Sequence, residues 1–476
     1  MQQDDASERA RAALAAVLKP GSPVLELARS FASAGHELYL VGGWVRDALL
    51  GRAHDDLDFA TDAEPEQTKR IVAPLATNVW LQGVEFGTVG AELDGMSVEI
   101  TTFRTEKYQP SSRHPNVKFT ADVETDLARR DFTINAIAIK LPDLAATDPY
   151  NGRADLEQQL IRTPIDPKDS FCDDPLRMLR AFRFVSQLNF RVDDAVLGAI
   201  AELRDEIKTV SAERIRDELV TLLLGAAPAR ALDLADRSGL VELFLPELSA
   251  LKLEQDPVHK HKDVFHHTLA VVERTPRERD LRLAALLHDI GKPRTRRITK
   301  EGVTFHHHEV VGAEMAAARL RALRFPNETV SRVSEMIRLH HRFHTYRLGW
   351  TDSAVRRYVR DAGALLGDLN RLVRADCTTR DTAKARRLAE RMDELEARIA
   401  DLAEKEALDR IRPELDGNEV MNFLGIGPGP LVGEALADLL EIRLDEGEIG
   451  KEAAFERLAD WARNKGLEPP SPPRTA

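Results

Sequence analysis

The chain has 476 residues and a net charge of −12 at pH 7, a length sufficient for several cooperating modules with sizeable cores. Its two cysteines, Cys172 and Cys377, exclude a disulfide framework and a thiolate zinc cluster. The acidic balance argues against nonspecific nucleic-acid binding over the whole surface, so RNA would have to be held by local basic stripes.

The N-terminal residues indicate the compartment. The segment MQQDDASERARAAL lacks the apolar core of a signal peptide, and no apolar run in the chain is long enough to span a bilayer. We therefore expect a cytoplasmic protein that begins with a helical extension over residues 1–29.

Residues 38–59, LYLVGGWVRDALLGRAHDDLDF, carry the most information. The apolar run 38–41 predicts a buried strand that Gly42 and Gly43 end, and residues 44–50 predict a helix that stops at Gly51. Such a unit points backbone N–H groups outward at a helix N-terminus, where they can bind phosphate. Side chains at the two glycines would block a triphosphate from that backbone. A simple turn is the alternative interpretation.

The next predicted strand carries Asp56 and Asp58. Side chains two apart on a strand share a face, and two carboxylates so placed can hold Mg²⁺ ions that bridge to substrate phosphates. A solvated strand edge would show the same pattern. The order and close spacing of the glycine pair and the acidic pair favour the active site of a nucleotidyltransferase.

The pattern GG-x-x-RD-x-LLG…DLDF resembles the signature of the class II tRNA nucleotidyltransferase and bacterial poly(A) polymerase family, and the resemblance extends from about Gly35 to Leu223. It implies an α/β head over residues 30–165, with a polymerase-β-like nucleotidyltransferase sheet and helices. A mostly α-helical neck (166–252), an HD domain (253–380) and a helical tail (381–476) would follow. It also implies Mg²⁺ as the cofactor at Asp56 and Asp58, with Gly42, Gly43 and Arg46 at the triphosphate.

Three further segments complete the predicted head. Residues 84–89 and 97–103 predict strands beside the acidic one, and Glu99 is either a further acidic ligand or a solvated residue. Residues 104–120 are polar with two prolines and predict a mobile loop. In CCA-adding enzymes such a loop is thought to help the switch from C to A addition, so it favours full CCA addition over CC addition alone.

The segment RRDFTINA (129–136) matches another motif of the family. Arg130 can neutralise a triphosphate oxygen through its planar fork of donors. Asp131 and Asn135 lie four apart on a predicted helix and would share a face, where they could bind the ribose or a metal-bound water. An ordinary helix N-terminus with an early acidic residue is the alternative.

Residues 173–184, DDPLRMLRAFRF, address base selection. Asp174, Arg177, Arg180 and Arg183 recur every three residues, so on a helix they form a slowly rotating ridge. The segment resembles the family's EDxxR motif, with Asp173 in place of the usual Glu. The resemblance implies that Asp174 and Arg177 hydrogen-bond the incoming base, and we expect Arg180 and Arg183 to bind the triphosphate. A surface salt-bridge stripe is the alternative. The helix 211–224, with Glu213, Arg214 and Glu218, is assigned a structural bracing role.

A second constellation lies further along the chain. Its order, H…HD…H…H…D, resembles that of HD-type metal phosphohydrolase domains, over roughly His259 to Cys377. Nitrogen and oxygen ligands of this kind suit Mn, Fe, Ni, Co or Mg, and a metal-bound water could act as a nucleophile near neutral pH. Neighbouring histidines leave the register open. The implied ligands are His267, His288, Asp289, His308, His340 and Asp376.

The sequence thus predicts a template-independent enzyme that adds or repairs the 3′-terminal CCA of tRNA from CTP and ATP, releasing pyrophosphate. Its partners would be CTP, ATP and the acceptor and T arms of tRNA, contacted by basic stretches at 292–300 and 371–387 and by the helical tail. The final EPPSPPRTA is predicted to be disordered. HD phosphohydrolase activity on 2′,3′-cyclic phosphates or phosphorylated RNA ends is a candidate second function. The alternatives are a poly(A) polymerase of the same family and a metal-dependent phosphohydrolase with a nucleotide- or RNA-binding head.

Overall fold

The computed structural model describes residues 14–15, 17–52, 56–107, 116–253, 263–300, 302–345, 350–377, 382–406 and 411–469. The chain forms two compact units, one of residues 1–250 with 322–325 and one of residues 251–321 with 326–476. Within the described part of the chain, no helix has both the length and the apolar character needed to cross a bilayer. Of the expected helical extension over residues 1–29, residues 14, 15 and 17 are helical and a further helix begins at Pro23, while most of the first 16 residues lie outside the described part. Residues 470–476 of the Pro-rich C-terminus also lie outside it, so the predicted disorder there stays a prediction.

A mixed sheet organises the first unit. In the described residues it has seven strands in the order β3-β4-β5-β2-β1-β8-β9. β2 pairs parallel with β5, whereas β1 is antiparallel to both β2 and β8. The strands of this unit, including the separate pairs β6–β7 and β10–β11, are β1 (Leu38–Val41), β2 (Leu57–Thr61), β3 (Asn78–Trp80), β4 (Thr88–Leu93), β5 (Met96–Thr102), β6 (Arg104–Lys107), β7 (Asn116–Phe119), β8 (Ala138–Leu141), β9 (Ala145–Thr147), β10 (Leu160–Ile161) and β11 (Arg191–Val192).

Helices flank this sheet and then continue as the neck. The neck packs through α7, which contacts α9 and α10 and buries Leu179, Phe182 and Phe184. The helices are α1 (Pro23–Ser33), α2 (Gly43–Leu49), α3 (Pro65–Val72), α4 (Val123–Ala128), α5 (Gly152–Glu157), α6 (Pro167–Asp173), α7 (Leu176–Leu188), α8 (Asp194–Leu203), α9 (Ala212–Leu223), α10 (Pro228–Arg237), α11 (Val241–Phe244) and α12 (Pro246–Ser249).

The second unit is mostly helical, with one short hairpin formed by β12 (Arg297–Thr299) and β13 (Gly302–Thr304). Its helices are α13 (Val264–Arg274), α14 (Arg279–Leu287), α15 (Lys292–Thr295), α16 (His308–Ala322), α17 (Asn327–Leu339), α18 (Arg342–Thr345), α19 (Asp352–Ala362), α20 (Leu366–Asp376), α21 (Thr382–Lys405), α22 (Gly417–Leu424), α23 (Pro430–Glu446) and α24 (Gly450–Asn464). The expected fold class, an α/β head followed by mostly helical regions, is confirmed.

Three local expectations were wrong. Residues 84–86 form a 3₁₀ turn between two left-handed glycines, Gly83 and Gly87, and the strand begins only at Thr88. The ends of the segment 104–120 pair as β6 and β7 instead of forming a loop, while residues 108–115 lie outside the described part. Asp131 precedes a 3₁₀ turn at Thr133–Asn135 and is not on an α-helix.

Candidate functional site

The first unit contains a cavity of about 400 Å³ in which most of the predicted head residues meet. Strand ends line one part of it, and the α6–α7 junction and α9 line another. The lining residues are Val41, Gly42, Gly43, Asp58, Phe59, Thr88, Glu99, Thr101, Arg104, Arg129, Arg130, Asp131, Asn135, Asp174, Arg177, Arg180 and Arg214. Its surface therefore combines carboxylates with arginines, which suits a charged ligand that carries both phosphate and metal.

The glycine pair lies against this cavity with its backbone close to two charged side chains. Gly42 adopts a φ of +74°, and a β-carbon there would lie 3.3 Å from Nη1 of Arg130 and 3.4 Å from Oδ2 of Asp58. A side chain at this position would therefore crowd both groups and strain the backbone. The helix α2 begins at Gly43, the second glycine of the pair, one residue before the start that the sequence predicted.

Two carboxylates face the cavity from neighbouring strands. Asp58 of β2 lies directly opposite Glu99 of β5 in the parallel ladder, and both line the cavity. Opposite residues in a ladder share a face, so the two carboxylates can donate oxygens to the same cation. Asp56 lies just before the first residue of β2, is exposed, and does not line the cavity among the described residues.

Asp131, Asn135 and Arg46 form a chain of hydrogen bonds beside the carboxylates. Asn135 donates through Nδ2 to Asp131 (2.9 Å), and Arg46 donates through Nη1 to Oδ1 of Asn135 (3.0 Å). Arg46 also holds Asp47 through two bonds of 2.7 and 2.9 Å. Burial acts to raise the pKa of Asp131, but Arg180 and the Asn135 amide outweigh it and the pKa is lowered. Asp131 is therefore an ionised acceptor, although it does not share a helix with Asn135.

The predicted base-reading pair is buried and has partners that the sequence did not indicate. Asp174 ends α6, and its Oδ2 accepts a hydrogen bond of 2.7 Å from Nη2 of Arg214. Arg177 donates to Oγ of Ser170 (2.8 Å) and to the carbonyl oxygen of Arg129. Arg214, which the sequence placed in a bracing helix, therefore lines the cavity and fixes Asp174. The signal that could have found it is the spacing of Arg214 and Glu218, which lie four residues apart on the helix and therefore share a face.

Glu218 of the same helix joins the last two arginines of the ridge. Nε of Arg180 and Nε of Arg183 lie 2.8 Å from its two carboxylate oxygens, and Arg183 also lies 4.2 Å over the ring of Phe184. Burial lowers the pKa of Arg180, but the carboxylates of Asp131 and Glu218 outweigh it and the net shift is upward. Arg180 lines the cavity, whereas Arg183 and Arg46 are not among its described lining residues.

In the second unit, the six predicted HD residues converge as two sets of three. His267, His288 and Asp376 form one set, and Asp289, His308 and His340 form the other; within each set the ligand atoms lie within 4.8 Å of one another. All six side chains are buried or nearly so. His267 lies near the start of α13, His308 begins α16 and Asp376 ends α20. His288 and Asp289 follow α14, and His340 follows α17.

Backbone carbonyls orient three of these imidazoles. Nδ1 of His288 lies 2.8 Å from the carbonyl oxygen of Ala285. Nδ1 of His308 lies 2.9 Å from the carbonyl oxygen of Phe305, and Nδ1 of His340 lies 2.5 Å from the carbonyl oxygen of Ile337. A carbonyl oxygen can only accept, so each Nδ1 carries a proton and the Nε2 of each neutral imidazole keeps its lone pair. The buried Nε2 of His288 makes no hydrogen bond of good geometry, and its nearest carboxylate oxygen, Oδ2 of Asp289, lies 3.3 Å away. This pattern fits metal-binding histidines, whose second nitrogen is normally held by a backbone or carboxylate acceptor.

The pKa shifts of Asp289 and His340 in this cluster also favour the binding of a cation. Burial acts to raise the pKa of Asp289, but His288 and Lys292 outweigh it and hold the pKa well below its usual value. Burial and the neighbouring His288 lower the pKa of His340 far below its usual value. An ionised carboxylate and a neutral imidazole are the forms that bind metal.

The remaining histidines settle the register that the sequence left open. His306 and His307 are exposed, and His266 is exposed and pairs with Asp263. The rings of His341 and His308 pack edge-to-face with their centroids 5.0 Å apart. Nε2 of His344 lies 3.5 Å from Oδ2 of Asp376. These last two are partly exposed neighbours of the cluster that the sequence did not assign to it.

Comparison with known proteins assigns these regions to families. Residues 38–162 match the poly A polymerase head domain, residues 189–252 match a probable RNA and SrmB binding site of polymerase A, and residues 264–409 match the HD domain. The expected head and HD domain are thereby confirmed as family members, and both families use metal ions.

Two relatives align over nearly their whole length. An A-adding tRNA nucleotidyltransferase of Deinococcus radiodurans is 34% identical over 86% of this chain and 92% of its own. A CC-adding tRNA nucleotidyltransferase of Thermus thermophilus is 35% identical over 89% of this chain and 94% of its own. Among solved structures, a Bacillus stearothermophilus CCA-adding enzyme in complex with CTP is 26% identical with a TM-score of 0.69, covering 93% of this chain and 98% of that one.

Proposed function

The chain belongs to the family of tRNA nucleotidyltransferases and poly(A) polymerases, and from this premise we propose that it completes the 3′ CCA end of tRNA with CTP and ATP. The chain is a nucleotidyltransferase by family. The observation that carries the finer proposal is the shared cavity of the first unit, where Asp58 and Glu99 lie at one part and Asp174 with Arg214 at another. A nucleoside triphosphate needs both a metal-binding end and a base-binding end.

The transfer joins the tRNA 3′-oxygen to the α-phosphorus of CTP or ATP, and pyrophosphate leaves. Asp56 and Asp58 would hold Mg²⁺, with Glu99 as a further oxygen donor; bound there, Mg²⁺ lowers the pKa of the attacking hydroxyl and offsets charge on the leaving phosphates. Gly42 and Gly43 leave room for the triphosphate, and Arg130 and Arg180 supply positive charge at the cavity surface. Arg46 and Arg183 act through Asn135 and Glu218, which they hold in place.

Base selection is assigned to Asp174 and Arg177. Asp174 already accepts from the Leu176 backbone (3.2 Å) and from Arg214 (2.7 Å), which fixes both carboxylate oxygens and leaves each a lone pair. Cytosine and adenine both present an amino donor next to a ring-nitrogen acceptor. A fixed acceptor on Asp174 and a fixed donor on Arg177 can therefore hydrogen-bond either base. Uracil and guanine present the opposite pattern at those positions and are excluded.

The experiment must separate four activities, because the two long relatives are named A-adding and CC-adding enzymes. Three tRNA transcripts, ending before CCA, after the first C and after CC, would be incubated with CTP, ATP or both. Full CCA addition extends all three to CCA and stops. An A-adding enzyme extends only the CC end, a CC-adding enzyme stops at CC, and a poly(A) polymerase writes a long A tract without CTP.

We propose metal-dependent phosphohydrolysis as the function of the second unit, supported by the two sets of three ligands and by the backbone carbonyls that orient three of the imidazoles. The candidate substrates are 2′,3′-cyclic phosphates or phosphorylated 3′ ends of RNA, and Mn, Fe, Ni, Co and Mg are the candidate ions. Phosphate release from such RNA ends with each ion would test it. His340→Ala should abolish release while CCA addition continues, and release that survives His340→Ala would assign it elsewhere.

The RNA partner and the compartment remain part of the proposal. The protein would act on tRNA in the cytoplasm. In the basic stretch 371–387, Arg371 pairs with Glu278, and Arg374 pairs with Asp393 and Glu396. Exposed Arg297 and Lys300 of the other stretch are better placed for phosphate contacts, and the helical tail remains a proposed contact for the tRNA arms. The domain limits at residues 29, 165, 252 and 380 also stay proposed.

A further inference from the structure

Phe119 is an aromatic side chain left open to solvent beside the nucleotidyltransferase cavity. It ends β7 and is 43% exposed. Its partner across the β6–β7 ladder is Arg104, which lines the cavity. Opposite residues of an antiparallel pair share a face, so the Phe119 ring lies on the face that Arg104 presents to the cavity.

The ring is held at this place by the turn before β4. A β-carbon added at Gly87 would lie 2.7 Å from a ring carbon of Phe119, so the ring packs directly on a glycine with φ +85°. The Arg104 guanidinium donates to the carbonyl oxygen of Phe86 in the same turn. Two contacts to one turn therefore fix the hairpin end, and the outer part of the ring stays uncovered.

The position of this turn relates the ring to the reacting atoms. Thr88, the residue after Gly87, pairs with Thr101 of β5, and both line the cavity. Glu99 is two residues from Thr101 on the same strand, about 7 Å away given a rise of ~3.3 Å per residue. The ring therefore lies beside the end of the cavity that Thr88 and Thr101 line.

The cavity has a chemically distinct part on the other side of those carboxylates. Gly42, Arg130, Arg180 and Arg214 line that part, which suits the triphosphate and base of the incoming nucleotide. In the sheet order, β4 and β5 lie on one side of β2, and β1 with its glycine pair lies on the other. The attacking 3′-hydroxyl must reach the carboxylates from the side that the incoming nucleotide leaves open, which is the side of β4, β5 and Phe119.

We propose that Phe119 stacks on the base of the 3′-terminal nucleotide of the RNA acceptor. Stacking on an aromatic ring is tolerant of sequence because every base has a π face. That property suits an acceptor end whose last base changes as each nucleotide is added. This inference rests on the proposed nucleotidyl transfer and adds to it a residue that positions the RNA rather than the incoming nucleotide.

The test uses Phe119→Ala, Phe119→Tyr and the control Leu144→Ala, which removes an equally exposed apolar side chain of the same unit. Two RNA acceptors would be compared, identical except that one has an abasic 3′-terminal nucleotide. Binding would be measured by fluorescence anisotropy and extension by initial rates in CTP. Thermal unfolding of each variant checks that the fold is kept.

The wild-type protein should bind the abasic acceptor about 5- to 100-fold more weakly than the intact one. Phe119→Ala should bind both acceptors equally weakly, with the KM for CTP unchanged, while Phe119→Tyr and Leu144→Ala keep the wild-type difference. A Phe119→Ala protein that still distinguishes the two acceptors would overturn the assignment. Failure of the wild-type protein to extend any acceptor would overturn the nucleotidyl transfer instead, and the binding comparison would still decide on stacking.

Discussion

Arg214 shows how one side chain can set the geometry of a binding site without being its most obvious residue. Its guanidinium holds Oδ2 of Asp174 at 2.7 Å, and both side chains line the cavity of the first unit. Asp174 is 3% exposed. A buried carboxylate needs fixed hydrogen-bond partners to stay oriented. We therefore expect Arg214 to govern base selection through the position of Asp174.

Arg214→Ala should raise the KM for CTP and ATP by about 10- to 100-fold, because a hydrogen bond to a charged group contributes about 1.5–3 kcal/mol. It should also narrow the preference for CTP and ATP over UTP and GTP, which a merely bracing residue would not affect. Steady-state kinetics with the four nucleotides would measure both effects.

The matched control is Arg216→Ala on the same helix, since Arg216 bonds Asp217 and the Arg324 carbonyl oxygen and is not among the cavity residues described. Unchanged selectivity in Arg214→Ala, or an equal loss in Arg216→Ala, would contradict the role assigned to Arg214.

The sequence predicted the residues that meet in the cavity better than it predicted the elements that carry them. The strand 38–41, the glycine pair and the helix after it follow from local apolar patterning and glycine chemistry, so they could be read directly. The turn at 84–86 could not, because its apolar Val84 and Phe86 resemble a strand, and only the left-handed glycines on either side distinguish it. The β6–β7 pairing joins residues separated by a polar, Pro-containing segment that indicated only a loop. Partners such as Arg214 depend on tertiary contacts that no local pattern contains.

Helix α4 is tied to the neighbouring hairpin through one buried carboxylate. Asp126 is fully buried and accepts hydrogen bonds from the Arg104 backbone (3.2 Å), from Arg129 (2.7 and 2.9 Å) and from Arg130 (3.3 Å). Burial acts to raise the pKa of Asp126, but the two arginines outweigh it and the pKa is lowered. The group therefore stabilises the fold at pH values above its unfolded pKa of about 3.9.

Asp126→Asn should lower the free energy of unfolding at pH 7 by about 2 kcal/mol. That is less than the 3–5 kcal/mol for a fully buried pair, because both arginines are partly solvated. The difference from wild type should shrink as the pH falls below about 4, since Asp126 then takes up a proton in the unfolded chain before it does so in the folded protein. Urea unfolding at pH 7 and pH 3 would measure it. Glu124→Gln, an exposed acid of the same helix, is the control, and a difference as large at pH 3 as at pH 7 would refute this account.

The helices of the second unit meet at the cluster of six ligands, which should bind metal independently of nucleotidyl transfer. His288→Ala should reduce the metal content of the purified protein after incubation with Mn²⁺ or Ni²⁺, because it removes one ligand from a set of three. His306→Ala, an exposed histidine of the same unit, should keep it. Elemental analysis measures the content, and equal metal in both variants would argue against a site at this cluster.

At the scale of the whole molecule, an acidic chain carries one arginine-lined cavity and one candidate metal site at which a polyanion could bind. The net charge is −12, yet the cavity of the first unit is lined by Arg104, Arg129, Arg130, Arg177, Arg180 and Arg214. Such concentration of positive charge in a recess favours a phosphate-bearing ligand there and disfavours nucleic acid elsewhere on the surface. In the second unit, metal ions at the six-ligand cluster would supply the positive charge. The functions proposed for the two units are thus two chemistries on RNA ends, transfer of a nucleotide and removal of phosphate.

Sequencing of tRNA 3′ ends after reaction with CTP and ATP together tests the central claim most directly. A transcript that ends before CCA would be incubated with the wild-type protein, with Asp58→Asn, and with Asp143→Asn as an exposed acidic control. The account predicts ends that stop at CCA for the wild type and the control. Asp58→Asn should be at least about a hundredfold slower, because loss of a metal ligand removes several kcal/mol of transition-state stabilisation. Unextended ends with the wild-type protein, ends that continue into a long A tract, or full activity of Asp58→Asn would contradict it.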